Sequence, residues 1–169
     1  MNKTFKLLSQ LSPEFCTPGV IVASGGVGTI AAGTPTKSAD AYNANTGAAV
    51  PMVDADGTTA QSFMGIAKST STDTASAAGS VDLWMPLPGI VYSGFAKTSS
   101  TADTQAEINV LFHKAVFFDL TSSNWTVDAA ATVDSKVNCV IIVGGNPATA
   151  TLNFTYAPKG TYLNYCVSA

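Results

Sequence analysis

One imidazole, three thiols and eleven carboxylates are the reactive groups of this 169-residue chain, and their spacing limits the chemistry open to them. His113 is the only histidine, so a serine or cysteine nucleophile activated by imidazole would have to use it. It stands beside Lys114 at the end of a predicted helix, a position expected at the surface rather than in a catalytic cleft. Cys16, Cys139 and Cys166 are odd in number and far apart, without the C-x-x-C or H-x-x-x-H spacing of a zinc site. They are expected to be reduced, with Cys139 acting as a small hydrophobe in the most apolar strand. Asp54-Ala55-Asp56-Gly57 begins like a calcium loop, but Thr58 and Gly65 occupy positions where that loop needs Asp or Asn and then Glu. It reads as a turn. Gly25-Gly26-Val27-Gly28-Thr29 lacks the Gly-Lys-Ser/Thr of a phosphate-binding loop, the next lysine being Lys37. The chain is therefore read as a non-enzyme with no cofactor and no metal. Trp84 and Tyr92 remain as candidate exposed aromatic contacts, with Tyr42 a further one, against the ordinary reading that such rings pack in a core.

The elements that must position these residues are mostly short strands. Apolar, β-branched runs bounded by turn residues recur at Gly19–Ala23, Val50–Val53, Ser62–Lys68, Ser80–Met85 and Gly89–Lys97. In Ser80–Met85 the residues Val81, Leu83 and Met85 share one face. Val116–Leu120 and Trp125–Val127 read as a hairpin through Thr121-Ser122-Ser123-Asn124. Val137–Val143 is the most apolar strand, turned by Gly144-Gly145-Asn146-Pro147. Thr149–Tyr156 alternates after it, and Tyr162–Val167 adds an edge strand. One helix is expected, over about 103–114. Thr104-Gln105-Ala106-Glu107 has capping-box spacing, and Ile108, Leu111, Phe112 and Ala115 form one stripe. About ten short strands with one short helix predict a mainly β fold, a small barrel or sandwich. Residues 1–18 differ: Phe5, Leu7, Leu8, Leu11 and Phe15 are dense for a terminus, and Pro13 and Pro18 break any helix. They are read as an N-terminal arm before a single β-rich domain over 19–169, with a subdivision near 100 as an alternative. The start of the chain does not read as a signal peptide, because its apolar run is short and polar-interrupted.

Composition narrows the partners. Charged residues make up only 11%, and all eight basic residues are Lys. Polarity comes instead from 21 Thr and 16 Ser, beside 25 Ala. Scattered lysines without Arg do not make a phosphate-tracking surface, so no nucleic acid is expected as a partner. No run of about 18 apolar residues exists, so no membrane-spanning helix is expected. Few surface charges suit a protein packed against neighbours.

The order of motifs points further. Gly33-Thr34-Pro35, then Val53-Asp54-Ala55-Asp56-Gly57-Thr58, then Phe63-Met64-Gly65-Ile66-Ala67, precede a Ser/Thr/Ala loop containing Asp73 and Gly79. Val81–Met85 and Gly89–Lys97 complete the series, and Phe118-Asp119-Leu120-Thr121 with Trp125–Ala130 continues it. Over roughly residues 19–130 this resembles the head decoration proteins of tailed bacteriophages. The resemblance implies a virion structural protein on the outer surface of the capsid, made in the host cytoplasm. It would bind the major capsid protein and stabilise the assembled head. The apolar arm residues Phe5, Leu7, Leu8, Leu11 and Phe15 are then the expected capsid contacts, against the competing reading that the segment packs back on its own domain. A head-fibre base or a host-glycan adhesin module is the alternative, and self-association as a trimer fits either.

Overall fold

The computed structural model describes residues 5–7, 16–21, 29–38, 49–53, 63–73, 79–84, 87, 89–130 and 139–157. Among them the fold is mainly β, as the short alternating runs require. The chain divides into two compact units, one of Met1–Ser9, Val53–Gln61 and Leu87–Ala169, the other of Gln10–Met52 and Ser62–Pro86. The expected single domain over 19–169 is thus drawn differently. The chain passes between the two units at 9/10, 52/53, 61/62 and 86/87.

The smaller unit holds β2 (Cys16–Ile21), β3 (Thr29–Ile30), β4 (Pro35–Ser38), β5 (Ala49–Pro51), β6 (Phe63–Ala67), β7 (Ser71–Thr72) and β8 (Ser80–Trp84). Five of these form one sheet in the order β2-β8-β6-β4-β5, and β3 pairs with β7. Strand alternation is clear in β8: Val81 and Leu83 are buried and join Ile30, Ala49 and Ala67 in the core. Gly65 in β6 has φ +148, and a Cβ there would run into the Trp84 carbonyl of the neighbouring strand. Only glycine fits that close approach. The Thr36 hydroxyl, fully buried, donates to the Gly65 carbonyl at 2.9 Å.

The larger unit begins with β1 (Lys6–Leu7) and continues with β9 (Val91–Phe95), α1 (Gln105–Leu111), β10 (Ala115–Thr121), β11 (Asn124–Asp128), β12 (Cys139–Asn146) and β13 (Thr151–Ala157). Its sheet runs β1-β9-β13-β12-β10-β11, all antiparallel. The sheet curls into a half-barrel, because β11 returns to the end of β9. Ala96 bridges Val127 in parallel, and the Lys97 N–H donates to the Val127 carbonyl at 2.9 Å. The inward face carries Tyr92, Leu152, Phe154, Val116, Phe118, Val127 and Ile142, all buried.

The helix forms as its capping box dictates. The Glu107 N–H donates to Thr104 Oγ1, and the Glu107 carboxylate accepts from the Thr104 N–H at 3.0 Å. It ends sooner than expected. Ile108 and Leu111 are buried, but Phe112 leaves the helix with ψ 130 and stays 52% exposed, and Ala115 already belongs to β10. His113 follows at φ 65, its N–H given to the Ile142 carbonyl at 2.8 Å. The β10–β11 hairpin turns where expected, with Ser122 and Ser123 at φ 51 and 63. The expected turn at 144–147 shifts. Gly144, Gly145 and Asn146 stay in β12 beyond a bulge after Ile142, and Pro147–Thr149 makes the turn as a short 3-10 helix capped by the Asn146 side chain. Cys139 stands opposite Ala157 and Cys16 opposite Trp84. The Asp54–Gly57 turn, the Gly25–Gly28 loop, the 162–167 strand and Cys166 lie outside the described residues.

Candidate functional site

The residues singled out for attachment are only partly brought together. Phe5 is 4% exposed and sits within its own unit. Its ring centroid lies 4.6 Å from that of Phe118 and 5.2 Å from that of Phe154, which in turn lies 5.8 Å from Tyr92. The expectation of Phe5 as a free capsid contact is therefore corrected. An aromatic ring removed from water contributes about 1.5–3 kcal/mol, and tilted or edge-on neighbours add to that, so the side chain stays with the nearest complementary groove. β1 pairs Lys6 with Ser93 and Leu7 with Tyr92 on the edge of β9 opposite β13. Leu8, Leu11 and Phe15 lie outside the described residues.

The aromatic candidates separate in the same way. Tyr92 is 1% exposed on the inward face of β9 and is no surface contact, a second correction. Strand period decides this: Tyr92 shares its face with Gly94 and packs against Phe154. Trp84 is partly exposed, and the Lys68 ammonium lies 5.0 Å over its ring, a cation–π contact. Tyr42 lies outside the described residues.

Sequence reasoning did not single out the charged group at the seam of the half-barrel. Lys97 Nζ lies 2.7 Å from Asp119 Oδ1 and 2.9 Å from Asp128 Oδ2, joining the end of β9 to β10 and β11. The hydrogen bonds to Asp119 and then Asp128 raise the Lys97 ammonium well above its ordinary value, so it is a held cation rather than a nucleophilic amine. Burial pushes the Asp119 carboxyl up, but hydrogen bonds from Lys97 and Thr121 and the Lys97 charge together hold it below the usual carboxylate range. The i+3 or i+4 spacings that betray ion pairs on helices are absent here, because the three residues meet only through sheet curvature.

A shallow, open depression of about 410 Å³ lies beside α1, lined by Ser100, Thr101, Ala106, Glu107, Val110 and Leu111. Val110 on its lining is 82% exposed. His113 is exposed and stacks on Phe112, ring centroids 4.1 Å apart. Among the described residues no three His, Cys, Asp or Glu side chains converge as metal ligands. The groups that do converge are thus an aromatic groove that accepts an N-terminal strand and an ion-pair clamp beside it, an arrangement for holding chain segments together. No protein-family model, curated protein or solved structure matches this chain.

Proposed function

We propose that this chain is a virion structural protein, a decoration or cement protein that binds the outside of an assembled phage head and stabilises it. One observation carries the reading. Two of the motif pieces that give the resemblance, Phe63–Ala67 and Val81–Trp84, fall on β6 and β8, neighbours in one sheet, and Gly33-Thr34-Pro35 leads into β4 beside β6. The low charge and the abundance of Thr, Ser and Ala agree with a protein that works against neighbours.

A ligand selective for the assembled shell stabilises it by mass action, and repetition over a lattice multiplies weak contacts. The partner is the major capsid protein, with self-association as a trimer around a local axis. With Phe5 buried in its own unit, Leu7, Leu8, Leu11 and Phe15 are the arm residues that remain for the capsid. The alternative, a fibre base or glycan-binding module, keeps Trp84 but loses Tyr92 as a contact.

The test is a heat or osmotic challenge of capsids lacking the protein, with and without its re-addition. Added protein is expected to co-sediment with assembled capsids and to raise the temperature at which they release DNA. Co-sedimentation without any gain in resistance favours the fibre or adhesin reading, and failure to bind assembled capsids overturns the proposal.

A further inference from the structure

One buried carboxylate stands apart from the clamp and the aromatic groove. Asp73 follows β7, and strand alternation sets its direction: Ser71 and Asp73 are each 7% exposed, with exposed Thr72 between them. Ser71 stands opposite Ile30 of β3, which is wholly buried in the core with Ala49, Ala67, Val81 and Leu83. The Asp73 carboxylate is thus turned in on the side of an apolar core. Among the described residues its Oδ2 meets no hydrogen-bond donor. A carboxylate taken out of water needs a positive or donating partner. Two further oxygens lie close by on the same stretch of chain. A Cβ on Gly79 would stand 2.8 Å from Ser71 Oγ and 2.7 Å from the Thr72 carbonyl oxygen, so these two oxygens flank one point. The Thr72 carbonyl belongs to the peptide that joins it to Asp73.

We propose that Asp73, with the Ser71 hydroxyl and the Thr72 carbonyl, holds a hard divalent cation, calcium by preference. The donors are all oxygen, one charged and two neutral, the kind of set that calcium takes at about 2.3–2.6 Å in flexible geometry. Zinc favours nitrogen and sulfur. Magnesium demands a near-regular octahedron and gives up its waters reluctantly, which one strand end does not offset. With a single carboxylate the affinity is modest, a Kd of about 0.1–1 mM, and water completes the shell. Bound there, the ion neutralises the buried charge and fastens the end of β7 beside Gly79, the residue before β8. This fastening lies within the smaller unit and does not depend on how the chain meets a capsid.

The test uses full-length protein without capsids, freed of metal with EDTA and dialysed. It is titrated with calcium chloride at fixed ionic strength, and the heat of binding and the thermal midpoint are read together. One saturable site is expected, and at about a tenfold excess over Kd the midpoint rises by about 3–6 °C. Asp73→Asn keeps the shape and removes the charge, so its affinity is expected to fall by about tenfold or more. Its metal-free midpoint is expected to be no lower than that of the native protein, because an uncompensated buried charge has gone. Ser71→Ala loses one ligand and binds more weakly while folding normally. Magnesium at the same concentration gives a smaller rise. No heat and no rise up to about 10 mM calcium, well above the expected Kd, overturns the inference. So does an equal rise in Asp73→Asn, which means an adventitious ion only. A metal-free Asp73→Asn that melts well below the metal-free native protein shows a carboxylate already satisfied within the fold, and overturns it too. If that variant does not fold, native protein and Ser71→Ala titrating alike does the same.

Discussion

The ring of Phe5 lies over Gly94 so closely that a Cβ at residue 94 would stand 2.5 Å from Cδ1 and 2.6 Å from Cε1 of that ring. A residue at the start of the chain and a gap in a strand far along it are thus complementary halves of one contact. The absence of a side chain at 94 is what lets the N-terminal segment close the seam of the half-barrel.

That relationship makes a coupled pair of substitutions informative. Phe5→Ala is expected to cost about 3–5 kcal/mol, the range for removing a buried aromatic ring. Gly94→Ala is expected to cost about 1–3 kcal/mol by overpacking. In the Phe5→Ala background most of the Gly94→Ala cost should vanish, because the clashing ring is gone. Urea denaturation of the four proteins measures this cycle. Additive costs would show that the two residues do not meet.

Acid should weaken the clamp at the seam. The folded Asp119 carboxyl is held below its ordinary value of 3.8, so its contribution is complete above that value and is lost as pH falls below it. The Lys97 side chain is 40% exposed, so replacing it with Met at neutral pH should change stability by only about 0–1 kcal/mol. Denaturation midpoints of the native and Asp119→Asn proteins at about pH 6 and about pH 3 provide the check. The native protein should lose more on acidification than the variant, and an equal loss would rule out this carboxylate as a source.

The Ser122-Ser123 turn is open to improvement. Both residues have positive φ, the requirement of a two-residue type I′ hairpin, which Asn-Gly meets with less strain. Ser123→Gly relieves about 1–2 kcal/mol of left-handed strain against about 0.5–1 kcal/mol of added unfolded-chain entropy, so a net stabilisation of up to about 1 kcal/mol is expected. A lower thermal midpoint in calorimetry would contradict it.

Removing the helix cap should act locally. Thr104→Ala deletes the acceptor for the Glu107 N–H and is expected to cost about 1 kcal/mol. A seven-residue helix has little else to nucleate it, so amide hydrogen exchange at Ile108 should quicken more than at Val116. Uniform quickening at both would mean that the whole unit had loosened.

Much of the molecule was fixed by local chemistry. The alternation of Val81 and Leu83, the Thr104–Glu107 capping box and the Ser122-Ser123 hairpin all rest on bonds and periods spanning a few residues, so the chain states them directly. What tertiary structure alone decided involves pairs far apart in sequence. Apolar density around Phe5 says that the ring must leave water, but its destination depended on Gly94, Phe118 and Phe154 forming a groove of its size. The inward face of β9 was set by the curl of its sheet, which buried Tyr92, and Trp84, on β8 in the other unit's sheet, is partly open. Lys97, Asp119 and Asp128 carry no recognisable spacing, and they meet because β11 returns to β9. Gly144 and Gly145 look like a turn in isolation, but seven pairs between β12 and β13 hold them in the sheet. Long-range pairing outweighs local preference wherever a neighbouring strand can satisfy the backbone.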